Sequence, residues 1–139
     1  MRLALPATSA NLGPAFDAAA LAMDFYLRLR VDRAPDFFIT AEGRDAQICS
    51  RMENHLIVTT YCEVLESENR KIAPLRIHIQ NEIPIGKGCG SSAAARLAGI
   101  ALAVLVLVVL GRQVPEQVPA GAAADPAMAG AQPLAEVRR

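Results

Sequence analysis

The chain has no tryptophan, and phenylalanine and tyrosine together make up only 4% of its residues. Stacking platforms of the kind that hold single-stranded nucleic acid are therefore scarce. Excess positive charge is lacking too: 14 Lys and Arg balance 14 Asp and Glu, for a net charge of zero. Nothing is left over to displace the counterions of a phosphate backbone. These two shortages exclude nucleic acid as an expected partner. Cysteine is sparse, at positions 49, 62 and 89, and the spacing fits neither a CxxC redox pair nor a zinc set. Cys62 is expected on a helix face, as packing rather than as a reactive thiol. The odd cysteine count, and an N-terminal apolar stretch broken early by Pro6, point to a reduced, cytoplasmic setting without an export signal. Long apolar runs are also wanting. The fourteen residues Leu97–Leu110 fall short of the roughly 18 or more that a membrane span requires, and Arg96 bounds them. A buried helix is the expectation there, with membrane contact as the minority alternative.

Hydrophobic residues make up 53% of the 139, enough for one domain with a real core. In "DFYLRLRVDRA" the residues Phe25, Leu27, Leu29 and Val31 alternate with Tyr26, Arg28, Arg30 and Asp32, which predicts a half-exposed antiparallel strand. "FFITAEG" follows Pro35-Asp36 and is expected to be its neighbour. "PLRIHIQNEIP" repeats the alternation, with Leu75, Ile77 and Ile79 inward. Between these segments, Leu56, Ile57, Tyr61, Val64 and Leu65 recur at helical spacing, with Asn54 as the expected cap and Asn69 as the stop. The resulting fold class is α+β, with mostly antiparallel strands. From Gly111 the prolines at 115, 119, 126 and 133 block any long helix, so 1–110 is expected as the domain and 111–139 as an Ala/Pro-rich disordered tail.

One stretch carries chemistry: "NEIPIGKGCGSSAAARLAGIALA", residues 81–103. Gly86, Gly88 and Gly90 alternate just before the serine pair Ser91-Ser92, where a helix should begin. Alternating glycines let a backbone approach an anion closely, and successive N–H groups can form a nest for phosphate oxygens. A helix opening at the serines adds unpaired N–H groups and the positive end of its dipole. Lys87 can neutralise phosphate or simply be solvated, and a serine hydroxyl can ligate Mg²⁺. Familiar nucleotide motifs do not fit. Gly88 follows Lys87 where a Walker A loop needs Ser or Thr, and GxGxxG would need glycine at Ser91. Composition favours phosphate, with a plain flexible turn as the alternative.

"PIGKGCGSSAAA" resembles the second signature of the GHMP kinases, and "LPATSANLGPAFDAAALAM" resembles the opening of their homoserine kinase branch. The resemblance covers residues 1 to about 103. It implies a ribosomal-protein-S5-like (S5 domain 2-like) N-terminal domain and ATP-dependent phosphorylation of the L-homoserine hydroxyl, a step of threonine biosynthesis. It maps the nucleotide loop onto Pro84, Ile85, Gly86, Lys87, Gly88, Cys89, Gly90, Ser91, Ser92, Ala93 and Ala94. Ser92 would face Mg²⁺, and Asn11 and Asp17 would hold homoserine. Bland readings stand beside these. Asp17 can cap a helix suggested by "DAAALAM", and Asn11 through Pro14 can be a turn. His55 and His78 are expected as partly exposed scaffold residues.

Ala15 and Cys89 stand where the family usually has Gly and Leu. Its later His-Pro-Asp-Asn signature and its glycine-rich C-terminal motif are not found in the sequence. By resemblance, the C-terminal ferredoxin-like domain, the second Mg²⁺ ligand and the arginines that grip the substrate carboxylate are therefore missing, and no catalytic residue is assigned. Phosphoryl transfer depends mainly on positioning and charge neutralisation, so the chain alone is expected to show no appreciable turnover. The alternative is a non-catalytic domain that folds or binds nucleotide weakly. Apolar surface left bare by the missing domain makes self-association an expectation.

Overall fold

Alternating apolar and charged residues fold here into a sheet with one buried face. The computed structural model describes residues 1–10, 12–13 and 18–111. Its elements run β1 (Arg2–Ser9), β2 (Leu21–Arg33), β3 (Phe38–Gly43), α1 (Ala46–Cys49), α2 (Leu56–Ser67), β4 (Leu75–Asn81) and α3 (Ser91–Gly111). The arrangement is α+β, as expected.

The sheet order is β1-β2-β4-β3, with β1–β2 and β2–β4 antiparallel and β3–β4 parallel. Two expectations fail here. β3 is not the neighbour of β2, because β4 inserts between them. β4 has the deepest apolar alternation, with Leu75, Ile77, Ile79 and Asn81 all buried, and such a strand gains most from a central position. β1, for which the sequence reading assigned no strand, is an edge strand. Pro6 interrupts its pattern, and the register shifts between Pro6 and Ala7. A residue without an N–H is tolerated at such an edge irregularity. The helix suggested by "DAAALAM" does not form at its C-terminal end, since Leu21–Met23 pair with β1 as part of β2. Cross-strand pairing with Ala7 and Thr8 outweighs the weak helix preference of that short segment.

α2 and α3 pack against each other beside the buried sheet face. Ile57, Tyr61 and Leu65 line the inner stripe of α2, and the Tyr61 hydroxyl donates to the Ala73 carbonyl at 2.8 Å. Burial pushes the Tyr61 hydroxyl and the Cys62 thiol above their ordinary pKa values, which accords with a packing role for Cys62. Asn69, with φ 51°, stops the helix in the left-handed conformation expected there. Asn54 is not the cap. It also has positive φ (52°), and His55 occupies the cap position without a side-chain hydrogen bond.

α3 departs most from expectation. Its small residues Ala94, Ala98, Gly99 and Ala103 are buried with Leu102, and Gly99 sits so close to α2 that a Cβ would meet the Ile57 carbonyl at 2.6 Å. Leu97, Ile100, Val104, Leu105, Val108 and Val109 all point outward, and 28% of Ser91–Val109 is buried. A two-layer arrangement covers one stripe of a helix, so an apolar run on all sides leaves the other stripe exposed. By length and composition, α3 is long and apolar enough to cross a membrane. Of the expected tail, 111–139, Gly111 closes α3 and the rest lies outside the described residues.

Candidate functional site

The glycine segment leaves β4 at Asn81, and three anchors fix its course. The first is Asn81 itself, which is buried. Its side-chain amide donates to the carbonyls of Arg44 and Ile83, both at 2.9 Å, and its Oδ1 accepts the Ile83 N–H at 3.1 Å. The second is Asp45, held at φ 52°, whose Oδ2 accepts the Ile85 N–H at 3.0 Å. The third comes from β1, where the Thr8 N–H donates to the Cys89 carbonyl at 3.1 Å. Glu82, just before the loop, accepts the Tyr26 N–H at 2.8 Å and pairs with Arg28 at 2.8 Å. Those hydrogen bonds hold its carboxyl below the ordinary carboxylate pKa.

Between the anchors the backbone takes left-handed conformations at Gly86 (φ 73°), Gly88 (71°) and Gly90 (71°). At Gly90 there is a second requirement. A Cβ there would collide with the Thr8 hydroxyl and lie 2.7 Å from its carbonyl oxygen. Gly90 thus joins two distant stretches of sequence, the "PATS" segment of β1 and the glycine loop. Its carbonyl accepts the Ala94 N–H at 2.9 Å, which starts the hydrogen-bond ladder of α3. Residues 85–88 form a turn, and among the described residues no bond to another element engages the N–H groups of Gly86 through Ala93. These donors lie at the positive end of a long helix.

Beside them lies a cavity of about 360 Å³. Leu27, Ile57, Ile79 and Ile83 give it apolar walls, and Asn54, His55, Ser91 and Ser92 add polar groups. Small-molecule pockets have this character, an apolar body with few polar groups. The His55 Nε2 lies 3.0 Å from the Cys49 carbonyl, an acceptor, so this nitrogen carries the proton. Burial lowers the pKa of His55 against that bond, which favours the neutral ring. Burial, reinforced by Asp45, raises the Cys49 thiol.

The expected site residues fall into three groups. Gly86, Lys87, Gly88, Ser92 and Ala93 are exposed on the loop and the first turn of α3, with Cys89, Gly90 and Ser91 half-buried beside them. Pro84 is half-buried, the Ile85 N–H is taken by Asp45, and Ala94 belongs to the core. Asn11 and Asp17 lie outside the described residues. Sequence reasoning missed Thr8, Asp45 and Asn81, which hold the loop in place. Only the turn-forming "GRD" before α1 hinted at Asp45.

The family model for the GHMP kinases N-terminal domain matches residues 47–125, past the expected boundary at Gly111. Among curated relatives, the homoserine kinase of Solibacter usitatus is 46% identical over 101 residues, covering 73% of this chain and 33% of that protein. That of Carboxydothermus hydrogenoformans is 36% identical over 100 residues, covering 71% and 33%. Among solved structures, thrB of Listeria monocytogenes superposes with a TM-score of 0.64 at 34% identity, over 78% of this chain and 37% of that one. Homoserine kinase of Cytophaga hutchinsonii shares the fold, with a TM-score of 0.61 at 23% identity over 82% and 36%. The chain spans about one third of the length of the curated relatives it matches. A family match over more than half the sequence, falling on the glycine loop and the helix it opens, shows that the chain belongs to the GHMP kinases and carries their N-terminal domain.

Proposed function

We propose that this chain is the nucleotide-binding part of a cytoplasmic homoserine kinase, which transfers a phosphoryl group from ATP to the hydroxyl of L-homoserine in threonine biosynthesis. The row of N–H groups from Gly86 through Ala93, none of them bonded to another element among the described residues, carries this reading together with the cavity beside it. Oriented main-chain donors at a helix N-terminus suit the oxygens of a triphosphate. The cavity has the size and apolar lining for a nucleoside, since small-ligand pockets run from about 300 to 1,000 Å³. Homoserine as substrate rests on the curated relatives of that name.

Each group then has a defined task. Gly86, Gly88, Gly90 and Ser91 present N–H donors to the phosphates, and Lys87 adds a mobile positive charge. The Ser92 hydroxyl, exposed on the first turn of α3, would ligate Mg²⁺, which when bound neutralises phosphate charge. Asp45 and Thr8 hold the loop so that its donors need not reorganise on binding. Asn11 and Asp17 are assigned to homoserine, the Asn11 amide to its polar groups and the Asp17 carboxylate to its ammonium.

We assign binding but no turnover to the chain alone, because it spans about one third of the length of the homoserine kinases it matches. Calorimetric titration with ATP and Mg²⁺, run beside a coupled assay with homoserine, tests both halves. Saturable ATP binding without ADP production is the expected result. A rate within the ordinary kinase range of roughly 1–100 per second would contradict the binding-only assignment. Absence of ATP binding would remove the nucleotide reading itself.

A further inference from the structure

The sheet face opposite the core has a charge pattern that nucleotide binding does not use. Register places Arg2 directly across from Arg30, and Arg30 across from His78; one row along, Ala4, Arg28 and Gln80 are likewise aligned. Arg2, Arg30 and Gln80 are exposed, and Arg28 and His78 half-exposed. Together with Ala4 they border a hollow of about 430 Å³ on this face. Like charges directly opposite on neighbouring strands destabilise a sheet, so Arg2 facing Arg30 is an arrangement that folding does not favour.

The nearby acids do not cancel it. Glu82 is committed to Arg28 at 2.8 Å, and the Arg28 guanidinium also lies 4.6 Å from the Tyr26 ring centroid, which holds it over the face. Asp32 reaches Arg30 at 3.8 Å, with both side chains more than half exposed, a pairing worth little in water. Glu42 is 3.5 Å from His78, on the far side of the hollow from Arg2. Among the described residues Arg2 has no carboxylate partner. Planar guanidinium forks bordering one hollow suit phosphate and carboxylate oxygens.

We propose that this hollow binds a small polyvalent oxyanion, gripped by Arg2 and Arg30 with Arg28 and Gln80 as further donors. The site is on the opposite face of the sheet from the glycine loop, and its occupancy is independent of the nucleotide reading. The test is an amide-resolved NMR titration of the full chain with tripolyphosphate and, separately, with citrate at matched ionic strength. The amides of Leu3, Leu29 and Ile79 report the hollow, and those of Gly86 and Gly88 report the loop. The hollow set is expected to shift and saturate with at least one probe. Response to citrate as well as tripolyphosphate identifies general oxyanion binding; response to one alone identifies its class. In R2Q/R30Q the dissociation constant read from the hollow set should rise at least tenfold, while the loop set keeps its wild-type value. R2Q alone, at an exposed edge-strand position, keeps the test informative if the double variant folds poorly, with a rise of about threefold expected from one lost exposed ionic contact. A hollow set unmoved by both probes, or one that saturates equally in wild type and R2Q, overturns the proposal.

Discussion

The two ends of α3 obey different rules. At its N-terminus, the donors from Gly86 through Ala93 belong to a loop and first turn anchored by Asp45, Thr8 and Asn81. Past Arg96, Leu97, Ile100, Val104 and Val108 are exposed with no polar side chain between them. The first end is local chemistry that a short sequence can encode. The second is a packing surface whose meaning depends on whatever lies over it. Functional groups can thus be complete within a few residues while the burial of the same helix remains unfinished.

Substitutions sharpen this contrast, beginning with the loop. Gly90→Ala combines positive φ with a collision against Thr8 and should destabilise the fold by about 2–4 kcal/mol, measured by urea unfolding. Gly88→Ala meets no neighbour within 4 Å, so only the backbone conformation is strained, at about 1–2 kcal/mol. Equal losses for the two would show that the Thr8 junction contributes nothing. Ser92→Ala should leave stability within about 0.5 kcal/mol while weakening Mg²⁺-dependent ATP binding, read by calorimetry with and without the metal. Identical weakening without metal would move Ser92 out of the Mg²⁺ role.

At the other end, Leu97→Lys with Val104→Lys should change unfolding stability by less than about 0.5 kcal/mol per site, because both side chains are already exposed. The same pair should reduce self-association in sedimentation experiments. Larger destabilisation would mean that the stripe is covered within the folded chain. The smallest expected effect concerns His55. Its folded pKa lies below the ordinary 6.5, so the unfolded chain binds the proton more readily. Stability should therefore fall as pH drops below 6.5 and level off once the folded ring is protonated. His55→Gln should flatten that part of the profile, and an unchanged slope would assign it to other groups.

Much of this was legible from the sequence because it is local. Period-two alternation located β2 and β4, and the glycine-serine spacing located the opening of α3 at Ser91. What escaped depended on distant partners. Nothing near Phe38 announces that β4 will intervene between it and β2. The N-terminal strand was hidden by Pro6, whose missing N–H breaks the pattern at an edge position where the sheet tolerates it. Thr8 and Asp45 became meaningful only once folding set them against Cys89 and Ile85. Asn54 has the residue type of a helix cap, yet its left-handed backbone leaves that position to His55.

The central claim is that main-chain donors at the start of α3 hold a triphosphate, and titrating the ¹⁵N-labelled chain with ATP and Mg²⁺ tests it most directly. The amide resonances of Gly86, Gly88, Gly90, Ser91 and Ser92 should move together along one saturating curve, while those of the outer sheet rows around Arg76 stay still at the same concentrations. Loop amides that remain in place while ATP saturates the protein would contradict the account.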